Sequence, residues 1–112
     1  MIDGFPVADL DDETWREAVG DTGVVVIEFW APWCSSCLAQ RPIIDQMAAA
    51  LAGHVRFFRA DAGATRIDRY WGVRTLPTVL VLRDGTEVAR VSGDATRPRL
   101  LEAFARALAP ER

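Results

Sequence analysis

Two cysteines, Cys34 and Cys37, lie three positions apart and are the only cysteines in this chain of 112 residues. Thiol–disulfide exchange needs an attacking thiolate and a second thiol that resolves the mixed disulfide. A Cys-X-X-Cys pair provides both groups, and a helix is predicted to begin near Cys34, where free amide N–H groups favour a thiolate. Cys37 lies one turn further along and is expected to be more buried. We therefore predict that Cys34 attacks and Cys37 resolves.

Other interpretations of the cysteine pair remain open from the residues alone. Zinc usually takes four protein ligands, and His54, the only histidine, precedes a predicted strand in what is expected to be a solvated loop. A zinc site or an iron–sulfur cluster would therefore need ligands from a second chain. The two cysteines could also be inert and buried. We predict neither a metal nor a cofactor.

The elements that would position the pair alternate between strand and helix. The segment Val24–Trp30 is almost continuously apolar, as in a central strand covered on both faces, and only Glu28 interrupts it. Glycines and prolines separate the segments. The other predicted elements in this half of the chain are an edge strand at Phe5–Val7, a helix from Asp11 and Asp12 to about Val19, a helix from near Cys34 to Gly53, a strand at Val55–Arg59, and a short helix capped by Thr65 and ended by Gly72.

The last part of the chain predicts a hairpin followed by a helix. Strands at Thr78–Leu82 and Glu87–Val91 flank Asp84-Gly85, a strong hairpin-turn signal. Helical crossovers predict parallel strand pairs, and the hairpin adds an antiparallel pair. The expected fold is α/β, with a central mixed sheet flanked by helices on both faces, in a single domain spanning residues 1–112. The final helix is expected to face inward with Leu100, Leu101, Phe104 and Leu108.

Composition narrows the function. The net charge is −3 and half of the residues are hydrophobic, a balance that argues against disorder. No basic patch suited to nucleic acid or an anionic membrane is evident, and no apolar run approaches the roughly 20 residues that span a bilayer. Met1–Phe5 lacks the features of a signal peptide. We therefore expect a cytoplasmic location and neither nucleic acid nor membrane as a partner.

The chain resembles the thioredoxin family from about Phe5 to Leu108. The segment Phe29–Cys37, with the sequence Phe-Trp-Ala-Pro-Trp-Cys-Ser-Ser-Cys, is similar to the active-site segment of that family. Further matching positions follow in the same order as in the family, which makes the resemblance more specific than a Cys-X-X-Cys alone. They are Pro42 in the active-site helix, Thr75-Leu76-Pro77-Thr78, the turn Asp84-Gly85, and Gly93.

The resemblance implies a thioredoxin fold and a set of substrate-contacting residues. It implies that Pro77 follows a cis peptide bond and keeps metal away from the dithiol, and that Leu76 offers backbone hydrogen bonds to an extended peptide. Thr75 belongs to the same loop, and Gly93 leaves room for the substrate backbone. Trp33 is expected to be an exposed apolar contact beside Cys34. Two further residues are expected to support the site, Trp30 by packing beneath its loop and Pro42 by kinking its helix.

Three departures from the family pattern bear on the chemistry. Ser35-Ser36 stands where typical thioredoxins have Gly-Pro, which restores a backbone N–H near Cys34 and adds two hydroxyls. These groups can stabilise the thiolate and so make the protein more oxidising. We expect a reduction potential above the thioredoxin value of about −270 mV and below about −180 mV. Apart from these three departures, Leu38 stands where the family often has a basic residue, which makes the rim of the site more apolar.

The other two departures are Glu28, where the family has a buried Asp, and Arg59, where it has a Lys. A buried carboxylate has a pKa raised by desolvation and can exchange a proton with Cys37. A Glu28–Arg59 ion pair would instead lower the pKa of the carboxyl. Both a catalytic pair and a purely structural ion pair are therefore compatible with the sequence.

The resemblance implies a thiol–disulfide oxidoreductase that reduces or exchanges disulfides in partner proteins. Its implied reductant is a flavin- and NADPH-dependent thioredoxin reductase, and we expect a monomer. Two alternatives are an oxidase or isomerase that works in an oxidising compartment, and a docking or chaperone-like module that keeps only the fold. The redox potential distinguishes an oxidase or isomerase from a reductase. A docking module is distinguished by activity that does not require Cys34.

Overall fold

A five-stranded mixed sheet forms the centre of the molecule, with the strand order β1-β3-β2-β4-β5. The computed structural model describes residues 6–93 and 95–110. The predicted order of strands and helices along the chain is observed. The elements are β1 (Val7–Asp9), α1 (Trp15–Val19), β2 (Val24–Trp30), α2 (Ser35–Ala50), β3 (Val55–Asp61), α3 (Ile67–Tyr70), β4 (Thr78–Arg83), β5 (Thr86–Ser92) and α4 (Arg97–Leu108).

Strand directions follow the connections between the elements. β3 pairs in parallel with both β1 and β2, and helices provide those crossovers. β4 runs antiparallel to β2 and to β5. Asp84 and Gly85 form the β4–β5 turn with φ values of 50° and 83°, a conformation suited to Asp-Gly. The predicted mixed sheet with helices on both faces is confirmed.

The two faces of the sheet have separate hydrophobic cores. Alternation along β2 places Val26 in the core shared with α2 and α4, whereas Val25, Ile27 and Phe29 lie in the core shared with α1 and α3. Residues at even positions of β2 therefore face α2. Glu28 has this parity, so the sheet directs its carboxylate toward the helix that carries Cys37.

The structure corrects three details of the helices. Leu101 and Leu108 are exposed, because α4 buries the stripe formed by Leu100, Ala103, Phe104 and Ala107. α1 begins at Trp15 rather than near Asp11, whose carboxylate accepts hydrogen bonds within the preceding turn. α3 begins at Ile67 with Arg66 as its N-cap instead of Thr65. Phe5, at the start of the predicted edge strand, lies outside the described residues, as does the rest of the Met1–Phe5 segment.

Strand register brings four segments of the chain to one edge of the sheet. Trp30 at the end of β2 pairs with Asp61 at the end of β3. Phe29 pairs with Thr78 at the start of β4, and Thr78 pairs with Ser92 at the end of β5. The residues that immediately follow or precede these ends therefore meet at the same edge. They are 31–34, 62–65, 75–77 and 93.

Candidate active site

Cys34 and Cys37 form a disulfide, with their Cα atoms 5.2 Å apart. Cys34 is the N-cap of α2, and its Sγ accepts a hydrogen bond from the backbone N–H of Cys37 at 3.2 Å. The N-cap position places the sulfur at the positive end of a helix of 16 residues. The same N–H can stabilise a thiolate on Cys34 when the disulfide is reduced.

The two sulfurs occupy different environments. Cys37 is only 1% exposed, whereas Cys34 is half-buried at the rim of the sheet. A substrate disulfide can therefore approach Cys34 directly, while Cys37 is screened from it. This difference in access supports the division between an attacking and a resolving cysteine.

The dipeptide between the cysteines adds a hydroxyl near the attacking sulfur. Ser36 Oγ lies 3.6 Å from Cys34 Sγ, within the range of a weak hydrogen bond to sulfur. Ser35 is exposed at the first position of α2. Ser36, rather than Ser35, therefore makes the additional polar contact with the Cys34 sulfur.

The residues on either side of the Cys34–Cys37 segment are apolar and exposed. Trp33 is 73% exposed and Leu38 is 45% exposed, so both can contact a bound partner. Trp30 is half-buried, and the Arg41 guanidinium lies over its ring at 4.2 Å from the centroid. The expected packing role of Trp30 therefore includes a cation–π contact. α2 continues through Pro42.

The loop before β4 lies at the same edge of the sheet. The Leu76–Pro77 peptide bond is cis, and the Pro77 carbonyl accepts a hydrogen bond from the Gly93 N–H at 2.7 Å. Thr78 Oγ1 donates to the Thr75 carbonyl at 2.6 Å. Thr75 is exposed and Leu76 is half-buried, so the loop before Pro77 reaches the surface.

Beneath the rim lies an ionic cluster in which the buried Glu28 and Arg59 meet Asp45, whose side chain is 48% exposed. Arg59 Nε donates to Glu28 Oε1 at 2.7 Å, and its second terminal nitrogen donates to Asp45 Oδ1 at 2.8 Å. Glu28 is 1% exposed, and its Oε2 has no hydrogen-bond partner among the described residues. Arg59 and Asp45 also line a cavity of 580 Å³. One carboxylate oxygen of Glu28 is therefore available for a proton.

Burial and hydrogen bonding shift the pKa values of Glu28 and Arg59, and burial prevails only at Glu28. It raises the pKa of Glu28 above its ordinary value of 4.5, and the hydrogen bond from Arg59 lowers the pKa by less. Burial also disfavours the charged Arg59 guanidinium, but hydrogen bonds to Asp45 and Glu28 outweigh this effect and raise its pKa. The net shift of Glu28 is opposite to that expected from an ion pair alone.

Sequence reasoning missed Asp45, Arg41 and Gly63. Asp45 holds the far side of the Arg59 fork, and Arg41 covers Trp30. A spacing of four residues from Cys37 to Arg41 and from Arg41 to Asp45 places all three on one stripe of α2, which is a signal that could have found two of them. The fold brings the backbone of Gly63 against the ring of Trp33, and nothing in the sequence indicates that contact.

Two other classes of site are not found in the described ranges. In residues 6–93 and 95–110, no group of three or more His, Cys, Asp or Glu side chains is arranged to hold a metal ion. None of the helices in these ranges is long and apolar enough to cross a membrane.

Known proteins share this sequence pattern and this fold. The family model described as Thioredoxin matches residues 6–106. Thioredoxin M4, chloroplastic, from Arabidopsis thaliana is 35% identical over 105 residues, which is 91% of this chain and 54% of that protein. Thioredoxin 1 from Nostoc sp. is 28% identical over 95 residues, with 83% of this chain and 89% of that protein covered. The chain spans about half the length of the first chloroplastic relatives.

Solved structures agree with the observed topology. The thioredoxin of Malassezia sympodialis superposes with a TM-score of 0.82 at 24% identity, over 96% of each chain. A mutant thioredoxin from Halobacterium salinarum superposes with a TM-score of 0.83 at 21% identity, over the whole of both chains. At these identities the two structures establish the fold.

The chain belongs to the thioredoxin family, since the family model covers most of its length. In this member of the family, Cys34 and Cys37 are bonded to each other at the start of α2.

Proposed function

We propose that this chain reduces disulfides in partner proteins, with Cys34 as nucleophile and Cys37 as resolving thiol. The Cys34 thiolate attacks one sulfur of the substrate disulfide, forms a mixed disulfide and releases the first substrate thiolate. Cys37 then loses its proton and attacks Cys34, which releases the second substrate thiolate. The chain ends as the Cys34–Cys37 disulfide, two electrons having passed to the substrate. The observation that carries this proposal is the contrast between a half-exposed, N-capping Cys34 and a buried Cys37.

Insulin reduction tests the activity. With dithiothreitol as the reductant, the parent chain should accelerate the reduction of insulin, which is followed by its precipitation. The Cys34→Ser variant should give the precipitation rate observed with dithiothreitol alone. Ala39→Ser is a matched control, because it adds a hydroxyl at an exposed position of the same helix and keeps both thiols. Equal rates for the parent and the Cys34→Ser variant would exclude the reductase and favour a docking module that needs neither thiol.

We also propose that Glu28 accepts the proton of Cys37 during resolution and returns it during reduction. Its support is a carboxylate on the α2 face of the sheet, with one oxygen unpartnered and a pKa raised by burial. Glu28→Gln should slow the resolution of a mixed disulfide by about 10²-fold and leave the first attack by Cys34 nearly unchanged.

The control for this variant is Glu28→Asp, which keeps a carboxyl group and should recover part of the resolution rate. Single-turnover kinetics with a fluorescent disulfide peptide separate attack from release. Unchanged resolution in Glu28→Gln would leave Glu28 and Arg59 as a structural ion pair.

The proposed potential lies between about −270 and about −180 mV. Its support is the contact of Ser36 Oγ with Cys34 Sγ at 3.6 Å, which adds to the N–H of Cys37. Equilibration with mixtures of reduced and oxidised glutathione measures the value. A potential at or below the thioredoxin figure would rule this part of the proposal out, and a value above the range would favour the oxidase or isomerase.

We propose that the chain is a cytoplasmic monomer, and that a flavin- and NADPH-dependent thioredoxin reductase returns it to the reduced form. Trp33, Leu76 and Gly93 supply the docking surface in this proposal, with disulfide-bearing proteins as substrates. NADPH oxidation in the presence of such a reductase and oxidised chain tests the partner. Sedimentation measures whether the chain is a monomer.

A further inference from the structure

The indole ring of Trp33 occupies space that only a glycine leaves free. A Cβ atom built on Gly63 would lie 2.7 Å from Cζ3 of Trp33 and closer still to its Cη2 atom. Both distances are shorter than any ordinary contact between carbon atoms. One side of the largely exposed ring is therefore seated directly on the backbone of the loop after β3.

Backbone conformation does not explain the glycine at this position. The other described glycines (Gly20, Gly23, Gly53, Gly72, Gly85 and Gly93) have positive φ values, and a Cβ added to any of them would approach no atom closer than 3.4 Å. Gly63 has the opposite combination, with an ordinary φ and a severe overlap. The ring of Trp33 is the nearest group that a side chain at position 63 would meet, and Asp61 Oδ1 follows at 3.3 Å.

Hydrogen bonds hold this loop in place. Asp61 Oδ1 accepts from the Gly63 N–H at 2.8 Å, and the Asp61 carbonyl accepts from the Thr65 N–H at 2.9 Å. The Ala62 N–H donates to the Trp30 carbonyl at 2.8 Å. The surface under Trp33 is thus tied to the end of the strand that leads into the cysteine loop.

We propose that Gly63 is a positioning residue that seats the indole of Trp33 beside Cys34 and so prepares the contact surface for a disulfide-bearing peptide. This inference rests on the proposed docking role of Trp33. A ring held on one side loses less freedom when a substrate covers its other side, so binding is stronger. A side chain at position 63 lifts the ring from its seat and removes that advantage.

The test compares Gly63→Ala in the parent chain with the same substitution in a Trp33→Ala chain. With insulin as substrate, Gly63→Ala should raise KM about 2- to 10-fold with little change in kcat, and should have no effect when Trp33 is absent. Ala64→Ser, at the exposed neighbouring position, is the matched control. The fluorescence of Trp33, obtained by subtracting the spectrum of each matching Trp33→Ala chain, should change in Gly63→Ala only.

Each outcome decides the inference. An unchanged KM in Gly63→Ala, or an equal rise with and without Trp33, overturns it, and an equal rise would show a general effect on the loop. If Trp33→Ala itself leaves KM unchanged, the docking role of Trp33 fails and the inference fails with it. Reduction of insulin through Cys34 would still stand, because the Cys34→Ser comparison tests it separately. A rise in KM that needs Trp33 supports the inference.

Discussion

The outer rim of the site and the ionic cluster beneath it are built from adjoining residues but differ in exposure. Trp33 and Cys34 follow the end of β2, where Trp33 is largely exposed and Cys34 is half-buried. Glu28 lies within β2 itself and is 1% exposed, with Arg59 as its ion-pair partner. Within seven residues the chain thus passes from a buried carboxylate to a half-exposed cysteine sulfur.

Because of this difference in exposure, we expect substitutions in the two regions to have different effects on stability. Side chains at the rim are mostly in solvent, so their replacement should change recognition and leave stability nearly unchanged. A buried charge without its partner costs several kcal/mol, so replacements in the ionic cluster should change stability together with proton transfer. The predictions below test that separation.

Removal of Arg59 should have the largest effect on stability. Arg59→Met leaves the Glu28 carboxylate buried without its partner and should lower the free energy of unfolding by about 3–5 kcal/mol. The double variant Glu28→Met/Arg59→Met should recover most of the loss, and Trp33→Ala should stay within about 0.5 kcal/mol of the parent. Urea unfolding of the oxidised chains measures all three. A small loss in Arg59→Met would show that the cluster is effectively solvated.

Replacement of Ser35-Ser36 by Gly-Pro should shift the redox potential. The change removes the hydroxyl that lies 3.6 Å from Cys34 Sγ and the backbone N–H of residue 36. We expect a potential more negative by about 30 mV, which corresponds to about 1.4 kcal/mol. Glutathione equilibration of both chains measures it, and a shift to a more positive potential would contradict the role of Ser36.

The stability of the oxidised chain should depend on the titration of Glu28. Because its pKa is raised in the folded state, the folded chain retains a proton that the unfolded chain has already released. The resulting contribution to stability is present at low pH and is lost as pH rises through the raised pKa. The free energy of unfolding of the parent, relative to Glu28→Gln, should therefore fall as pH rises above 4.5. A difference that is constant across that range would mean that Glu28 does not titrate with a raised pKa.

Asp45→Asn should produce the smallest change. The substitution removes a negative charge that raises the pKa of Glu28 and frees Arg59 to stabilise the ionised carboxylate. The pKa of Glu28 should fall, so the inflection in the pH profile of mixed-disulfide resolution should move to lower pH. The shift should vanish in Glu28→Gln/Asp45→Asn. An inflection that moves to higher pH would contradict this coupling.

The sequence predicted the elements of the fold, because each has a local signature. Continuous apolar residues identified β2, Asp84-Gly85 identified the hairpin, and Cys34 identified the start of α2. The helix faces were less certain, because Leu101 is as apolar as Leu100, and only the packing of α4 shows which of them is buried.

The sequence predicted the site residues that belong to recognisable motifs. Cys34, Cys37 and Glu28 lie in one segment, and the predicted contact between Glu28 and Arg59 is observed. The spacing from Cys37 could have placed Asp45 on the same stripe of α2, but its contact with Arg59 and the contact of Gly63 with Trp33 depend on how separate elements meet. The balance between burial and ion pairing at Glu28 likewise depends on how much of the carboxylate the fold covers.

Trapping of the mixed disulfide tests the central claim most directly, namely that Cys34 attacks and Cys37 resolves. Reduced Cys37→Ser and Cys34→Ser chains are each mixed with insulin, and covalent adducts are measured by mass spectrometry after acid quenching. We predict that Cys37→Ser accumulates an adduct through Cys34, whereas Cys34→Ser forms almost none. An adduct through Cys37 that forms as fast in Cys34→Ser would contradict the assignment.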